Sequence, residues 1–255
     1  MAEAGAMDRE LSDVLAKLSQ KRANGERPRK RPSGQGIQAA GADPLAPATR
    51  EMQEASRRIR EDRLNQFGIY RRFQGVTFEA IERRGLPKSG NIRQNYGIVK
   101  DYAAALAANV RSGRGLLLAG RVGTMKTTMA VAVLRQWVDG GNAGMLIPMC
   151  SLIDNLFTMQ ALNREEWAGY ERRLRSVPLL VLDDLGGENT AQGWVLAKVD
   201  SIITERYNKM LPILATTNLS KSDLEGTYSA RLMDRLRNAS RYLSFDAASQ
   251  RRALA

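Results

Sequence analysis

Five short apolar runs punctuate the chain after residue 115: LLLAG (116–120), GMLIPM (144–149), PLLVLDDL (178–185), PILATT (212–217) and YLSF (242–245). Each is continuous rather than alternating, the pattern of a strand covered on both faces. Helix-prone stretches separate them. Strands and helices in alternation predict an α/β fold with a parallel sheet between two helical layers. Upstream the pattern changes. Met7, Leu11, Val14, Leu15 and Leu18 stand at helical spacing with charges between them, predicting an amphipathic helix within residues 1–22. Residues 23–48 carry Pro28, Pro32, Pro44 and Pro47 and almost no large apolar side chain, the composition of a flexible linker. Residues 49–72 are charged and helix-prone, a connector to a compact domain over 73–255. A helix as short as the first is marginal alone. It either packs back on the main domain or docks on another protein, and the linker behind it favours docking.

Composition narrows the chemistry. A chain of 255 residues suits one well-buried domain with a modest appendage. Its net charge of +12 points to a polyanionic partner, nucleic acid first, although a solvated basic face would read the same way. With no histidine and one cysteine, the chain cannot assemble a Cys/His zinc site, a histidine-based triad or an internal disulfide. Cys150, beside the apolar MLIPM, reads as a small buried hydrophobe. No signal-peptide pattern and no apolar stretch near the ~20 residues of a membrane span is present, so a cytoplasmic protein is expected.

The stretch GRVGTMKTT (120–128) lies between the strand LLLAG and the helical run TMAVAVLRQWV. It nearly fits the phosphate-binding pattern GxxxxGK followed by Thr or Ser, with Met125 where the last glycine belongs. In such a loop the backbone N–H groups of Gly120 to Thr128, Val122, Gly123 and Thr124 among them, wrap phosphates at a helix N-terminus. Lys126 would reach the β- and γ-phosphates and the Thr127 hydroxyl would complete a magnesium shell. A left-handed backbone at Met125 would cost about 1–2 kcal/mol, lowering affinity roughly tenfold. Alone, the pattern equally fits an ordinary strand-loop-helix turn. The second element decides: LLVLDDLG sets Asp183 and Asp184 at the end of an apolar strand, 57 residues after Lys126. Asp183 would hold magnesium, and Asp184 would orient or deprotonate water. Asn218, after PILATT, either polarises that water or is a turn residue. Arg231 and Arg235 lie four apart on one helical face with Arg237 nearby. They read as a solvated or nucleic-acid-facing surface, or as an arginine finger offered to a neighbouring subunit.

From about Phe73 onward the chain resembles the AAA+ ATPases of the DnaC and DnaI helicase-loader group and their relative IstB, the helper ATPase of a transposase. The resemblance rests on the phosphate loop and on VLDDLGGENTAQGWVLAKVDSIITERYNKMLPILATTNLSKSDLEGTYSARLMDRL (181–236). It implies a five-stranded parallel sheet of order 5-1-4-3-2 without a C-terminal lid. It makes Lys126 and Thr127 the Walker A pair, Asp183 and Asp184 the Walker B pair, Asn218 the sensor and Arg235 the finger acting in trans, with Arg231 as neighbour. Phe78 and the region of Tyr96 would lie beside the adenine. Two departures stand out: Met125, and the lack of the cysteines found in the zinc-binding N-terminal part of some loaders.

Residues 151–177 stand where such ATPases carry an extra helical insertion facing single-stranded DNA. Leu152, Ile153, Leu156 and Phe157 would pack inward, leaving Arg164, Arg172, Arg173 and Arg175 for phosphates or for solvent. The resemblance implies ATP and Mg2+ as cofactors and self-association through the ATPase domain. It also implies an ATP-dependent loader delivering a DnaB-type hexameric replicative helicase to single-stranded DNA. The alternatives are an IstB-like transposition helper and a weakly hydrolysing, nucleotide-dependent DNA-binding adaptor.

Overall fold

The computed structural model describes residues 46–162, 164–187 and 193–250. The helix expected over 1–22 and the linker as far as residue 45 lie outside them. A compact unit begins at Thr49.

Helix α1 (Ala46–Gln66) leads through a 3-10 turn (Arg71–Phe73) into α2 (Phe78–Arg84), α3 (Ile92–Ala104) and α4 (Leu106–Arg111). Then follow β1 (Gly115–Gly120), α5 (Lys126–Asp139), β2 (Gly144–Pro148), α6 (Met149–Leu162), α7 (Arg164–Ser176) and β3 (Leu179–Asp183). The chain continues through α8 (Gly193–Asn208), β4 (Ile213–Thr217), α9 (Lys221–Thr227), α10 (Ala230–Ala239) and β5 (Ser240–Phe245). The five strands lie in the order β2-β3-β4-β1-β5, all parallel, which is the expected 5-1-4-3-2 sheet.

Continuous apolar runs become two cores because successive strand residues point to opposite faces. Leu116, Leu118, Val181 and Leu214 join the end of α1 and helices α2 to α5 on one face. Leu117, Leu180, Leu182, Ile213 and Ala215 join α6 to α10 on the other. Leu64 and Ile69, ahead of Phe73, already belong to the first core. Beside them the Leu146 N–H donates to the Phe67 carbonyl at 2.8 Å, which occupies the backbone of the edge strand β2. One expectation fails here. Cys150, the second residue of α6, is exposed, because Met149 and Leu152 supply that turn's buried face.

A parallel sheet sends all its carboxyl ends to one rim. The loops after β1, β3 and β4 therefore meet there.

Candidate nucleotide site

The loop after β1 turns on Gly120 (φ 145°), Gly123 (φ 82°) and Met125 (φ 71°) before α5 begins at Lys126. Gly120 has no room for a side chain: a Cβ there would stand 2.3 Å from the Phe245 carbonyl. At Gly123 it would stand 2.0 Å from the Ser249 hydroxyl. Met125 adopts the left-handed conformation expected of the missing glycine, and its side chain is half-buried against the first core. The loop thus has a phosphate-cradling shape. Val122 is exposed, while Thr124 is buried with its hydroxyl donating to the Arg121 carbonyl at 2.8 Å. Thr127 and Thr128 stand half-exposed in the first turn of α5.

Lys126 is 6% exposed. Its ammonium donates to the carbonyls of Gly120 and Arg121 at 2.7 and 2.8 Å and to Asn218 Oδ1 at 3.0 Å. Asn218 in turn donates from Nδ2 to the Asp184 carboxylate. The Thr127 hydroxyl donates to Asp183 Oδ1 at 2.8 Å. Five residues separated by up to 92 positions thereby form one polar constellation at the rim.

Thr216, which the sequence reading passed over as a strand residue, locks this arrangement. Its hydroxyl donates to Asp183 Oδ1 at 2.6 Å and accepts the Asp184 N–H at 2.9 Å. Asp184 leaves the strand in the left-handed region (φ 63°), which swings its carboxylate out to solvent and toward Asn218. Thr217 adds a hydroxyl bond to the Leu185 carbonyl at 2.6 Å. A hydroxyl and a carboxylate, Thr127 and Asp183, face each other with the hard-oxygen chemistry that a magnesium ion takes.

Phe78 is buried at the start of α2, edge-on to Tyr96 with ring centroids 6.0 Å apart. Burial, with the Glu82 carboxylate that accepts its hydroxyl, pushes Tyr96 up to about 12. Both rings belong to the cluster against which Met125 and Ala247 pack.

Arg235 is not extended. Its guanidinium donates to the Thr204 hydroxyl at 2.6 Å and pairs with Asp200 at 3.3 Å, beside an open cleft of about 440 Å³ between α8 and α10. Arg231, on the rim of that cleft, is exposed.

The expected DNA-facing arginines divide. Arg172 and Arg173 are exposed on α7, whereas the Arg164 side chain lies outside the described residues, as do those of Leu156 and Phe157. Arg175 must be withdrawn from the set. It is 15% exposed and holds Glu171 at 2.7 Å and Glu205 at 2.6 Å, so its charge is spent inside the α7–α8 contact. Behind it Arg206, fully buried, donates to the carbonyls of Leu174, Val177 and Pro212 at 2.8–2.9 Å. Burial lowers its guanidinium from the ordinary arginine range.

No protein-family model matches the chain. It is 24% identical over 175 residues to the replicative helicase loader DnaI of Bacillus subtilis (strain 168), a match covering 64% of this chain. The chain spans about half the length of that curated relative, 54% of it being covered. Among solved structures, the DnaC helicase loader superposes with a TM-score of 0.61 at 23% identity, covering 69% of this chain and 99% of that one. The replication initiator DnaA bound to AMPPCP and single-stranded DNA superposes with a TM-score of 0.56 at 19% identity, covering 68% and 50%. The chain shares the fold of these solved structures and is similar to the DnaC and DnaI loaders.

Proposed function

We propose that this chain is an ATP-dependent loader that delivers a hexameric replicative helicase to single-stranded DNA in the cytoplasm, with nucleotide held between neighbouring subunits. The observation that carries the ATPase part is the hydrogen-bonded set Lys126–Asn218–Asp184 beside Thr127–Asp183, assembled from three strand ends at the mouth of a phosphate-shaped loop. The similarity to DnaI supports the choice of partner.

In this reading the N–H groups of residues 120 to 128 cradle the phosphates at the start of α5. Lys126 exchanges carbonyl partners for β- and γ-phosphate oxygens, neutralising charge that grows in transfer. Asn218, bonded to both Lys126 and Asp184, holds the carboxylate where it orients the attacking water and receives its proton. Thr127 and Asp183 hold magnesium, which supplies Lewis-acid stabilisation of the phosphate oxygens when bound. Arg235 leaves Asp200 and Thr204 to reach the γ-phosphate of the next subunit. Arg172 and Arg173 face DNA phosphates, and residues 1–22 dock on the helicase.

The test is the mass distribution, at physiological salt, of the protein mixed with the hexameric replicative helicase of its host, with ATP, with ADP and without nucleotide. A discrete complex that vanishes when residues 1–22 are deleted is the expected result. No complex under any condition would overturn the loader reading and make a transposase the next partner to test.

A further inference from the structure

We infer that the turn Tyr70-Arg71-Arg72 and the exposed face of α7 form one binding surface for single-stranded nucleic acid, with Tyr70 as the platform on which an unpaired base stacks.

Tyr70 is among the most exposed large apolar side chains of the described residues, at 56%. Its backbone, by contrast, is held on both sides. Ile69 before it is fully buried and donates its N–H to the Leu64 carbonyl at 3.0 Å. Phe73 after it packs against the first core and donates its N–H to the Tyr70 carbonyl at 2.8 Å. Gly68, at φ 78°, lets the chain pass against β2, where a Cβ would stand 2.0 Å from the Leu146 carbonyl. An aromatic ring on a fixed stem is pre-organised for a flat partner, so little ordering cost attends binding.

Arginines are concentrated on both elements, although α7 also carries the exposed Glu165 and Glu166 in its first turn. Arg71 and Arg72 are exposed on the same turn, and Arg172 and Arg173 are exposed on α7. The end of α1, just ahead of this turn, meets α7: the Arg173 guanidinium donates to the Gln66 carbonyl at 3.2 Å. Tyr170, one turn earlier on α7, lies within electrostatic reach of both Tyr70 and Arg173. Some arginines elsewhere meet carboxylates, Arg57 with Glu61, Arg135 with Asp139, Arg175 with Glu171 and Arg235 with Asp200, while others such as Arg83 and Arg111 do not among the described residues. None of the four around Tyr70 has a carboxylate at ion-pair distance among the described residues. Uncompensated arginines flanking an exposed ring match a single strand, whose phosphates take the charge and whose unpaired bases offer a π-face that a duplex hides.

This inference rests on the reading that the protein engages single-stranded DNA, and the experiment separates the two. Fluorescence anisotropy would follow labelled oligo(dT) and a duplex of equal length across a salt series, using the full chain as wild type, Tyr70→Ala, Tyr70→Phe and Arg71→Ala/Arg72→Ala. The surface predicts that Tyr70→Ala weakens oligo(dT) binding by about 5- to 150-fold while Tyr70→Phe stays within about twofold. Removing the two arginines should flatten the log–log salt slope by about 1.4. Melting temperature and ADP affinity should stay at wild-type values in all variants. Wild type binding oligo(dT) while Tyr70→Ala binds equally well would overturn the platform alone. Equal losses on oligo(dT) and duplex would reduce it to a patch of general charge. Wild type failing to bind oligo(dT) would overturn this inference together with the DNA part of the loader reading.

Discussion

Met125→Gly asks where the strain of the irregular phosphate loop resides. A methionine in the left-handed region costs about 1–2 kcal/mol relative to glycine. Were that cost incurred only as nucleotide enters, restoring the glycine would tighten binding by about 5- to 30-fold. Met125, however, takes φ 71°, ψ 10° as part of the fold itself, with its side chain packed against the first core. The strain is therefore borne by folding and cancels from the binding equilibrium. For stability, glycine relieves about 1–2 kcal/mol of strain. Against this, it loses about 1 kcal/mol from a half-buried methionine and frees the unfolded chain by about 0.4–1 kcal/mol. The net falls within about 1 kcal/mol of zero, a melting shift within about 4 °C. Titration with fluorescent ADP and magnesium, alongside thermal melting, should give a Kd within about threefold of wild type. Met125→Val, β-branched at a left-handed position, should instead lose stability. A Met125→Gly protein that binds at least about tenfold tighter with an unchanged melt would refute the argument.

Asp184→Asn keeps the bond from Asn218 within reach but removes the proton acceptor. Steady-state hydrolysis should fall by about 100-fold while nucleotide affinity stays within a few-fold. If Arg235 acts across a subunit boundary, inactive Lys126→Ala and Arg235→Ala proteins should regain part of their hydrolysis when mixed, read in a phosphate-release assay. Arg206→Leu strands three buried carbonyls now bonded to the guanidinium, so urea unfolding should show a loss of roughly 3–5 kcal/mol. Glu171 is raised by its own desolvation but held below the ordinary carboxylate range by Lys198 and Arg175. Its contribution is complete above the unfolded-state value and is lost as pH falls through the lower folded one, so Glu171→Gln should flatten the acid limb of a stability–pH curve.

The sheet was legible because buried parallel strands are written as continuous apolar runs. Their bounds shift by at most two residues, as at β5, which begins at Ser240 where the polar Ser-Arg pair hides the start of the strand. The residues that converge at the rim could be picked out because their spacing is local: GRVGTMKTT and DD are each a short contiguous run. Partners that depend on folding could not. Thr216 looks like any β-branched strand residue until β4 lies beside β3. Arg175 resembles its neighbours Arg172 and Arg173 in sequence, and only the docking of α8, which brings Glu205 against it, takes its charge away. The retracted pose of Arg235 depends on Asp200, 35 residues earlier, through the packing of α10 on α8. The strain penalty assigned to Met125 was of the right kind, but the sequence could not say which equilibrium carries it.

The central claim is that the rim of this sheet is a nucleotide site organised by Lys126. Its most direct test is a titration of wild type and Lys126→Ala with fluorescent ATP analogue and magnesium. Saturable binding by wild type that is lost in a folded Lys126→Ala protein is the predicted result. Equal binding by both, or no binding by wild type, would contradict the account.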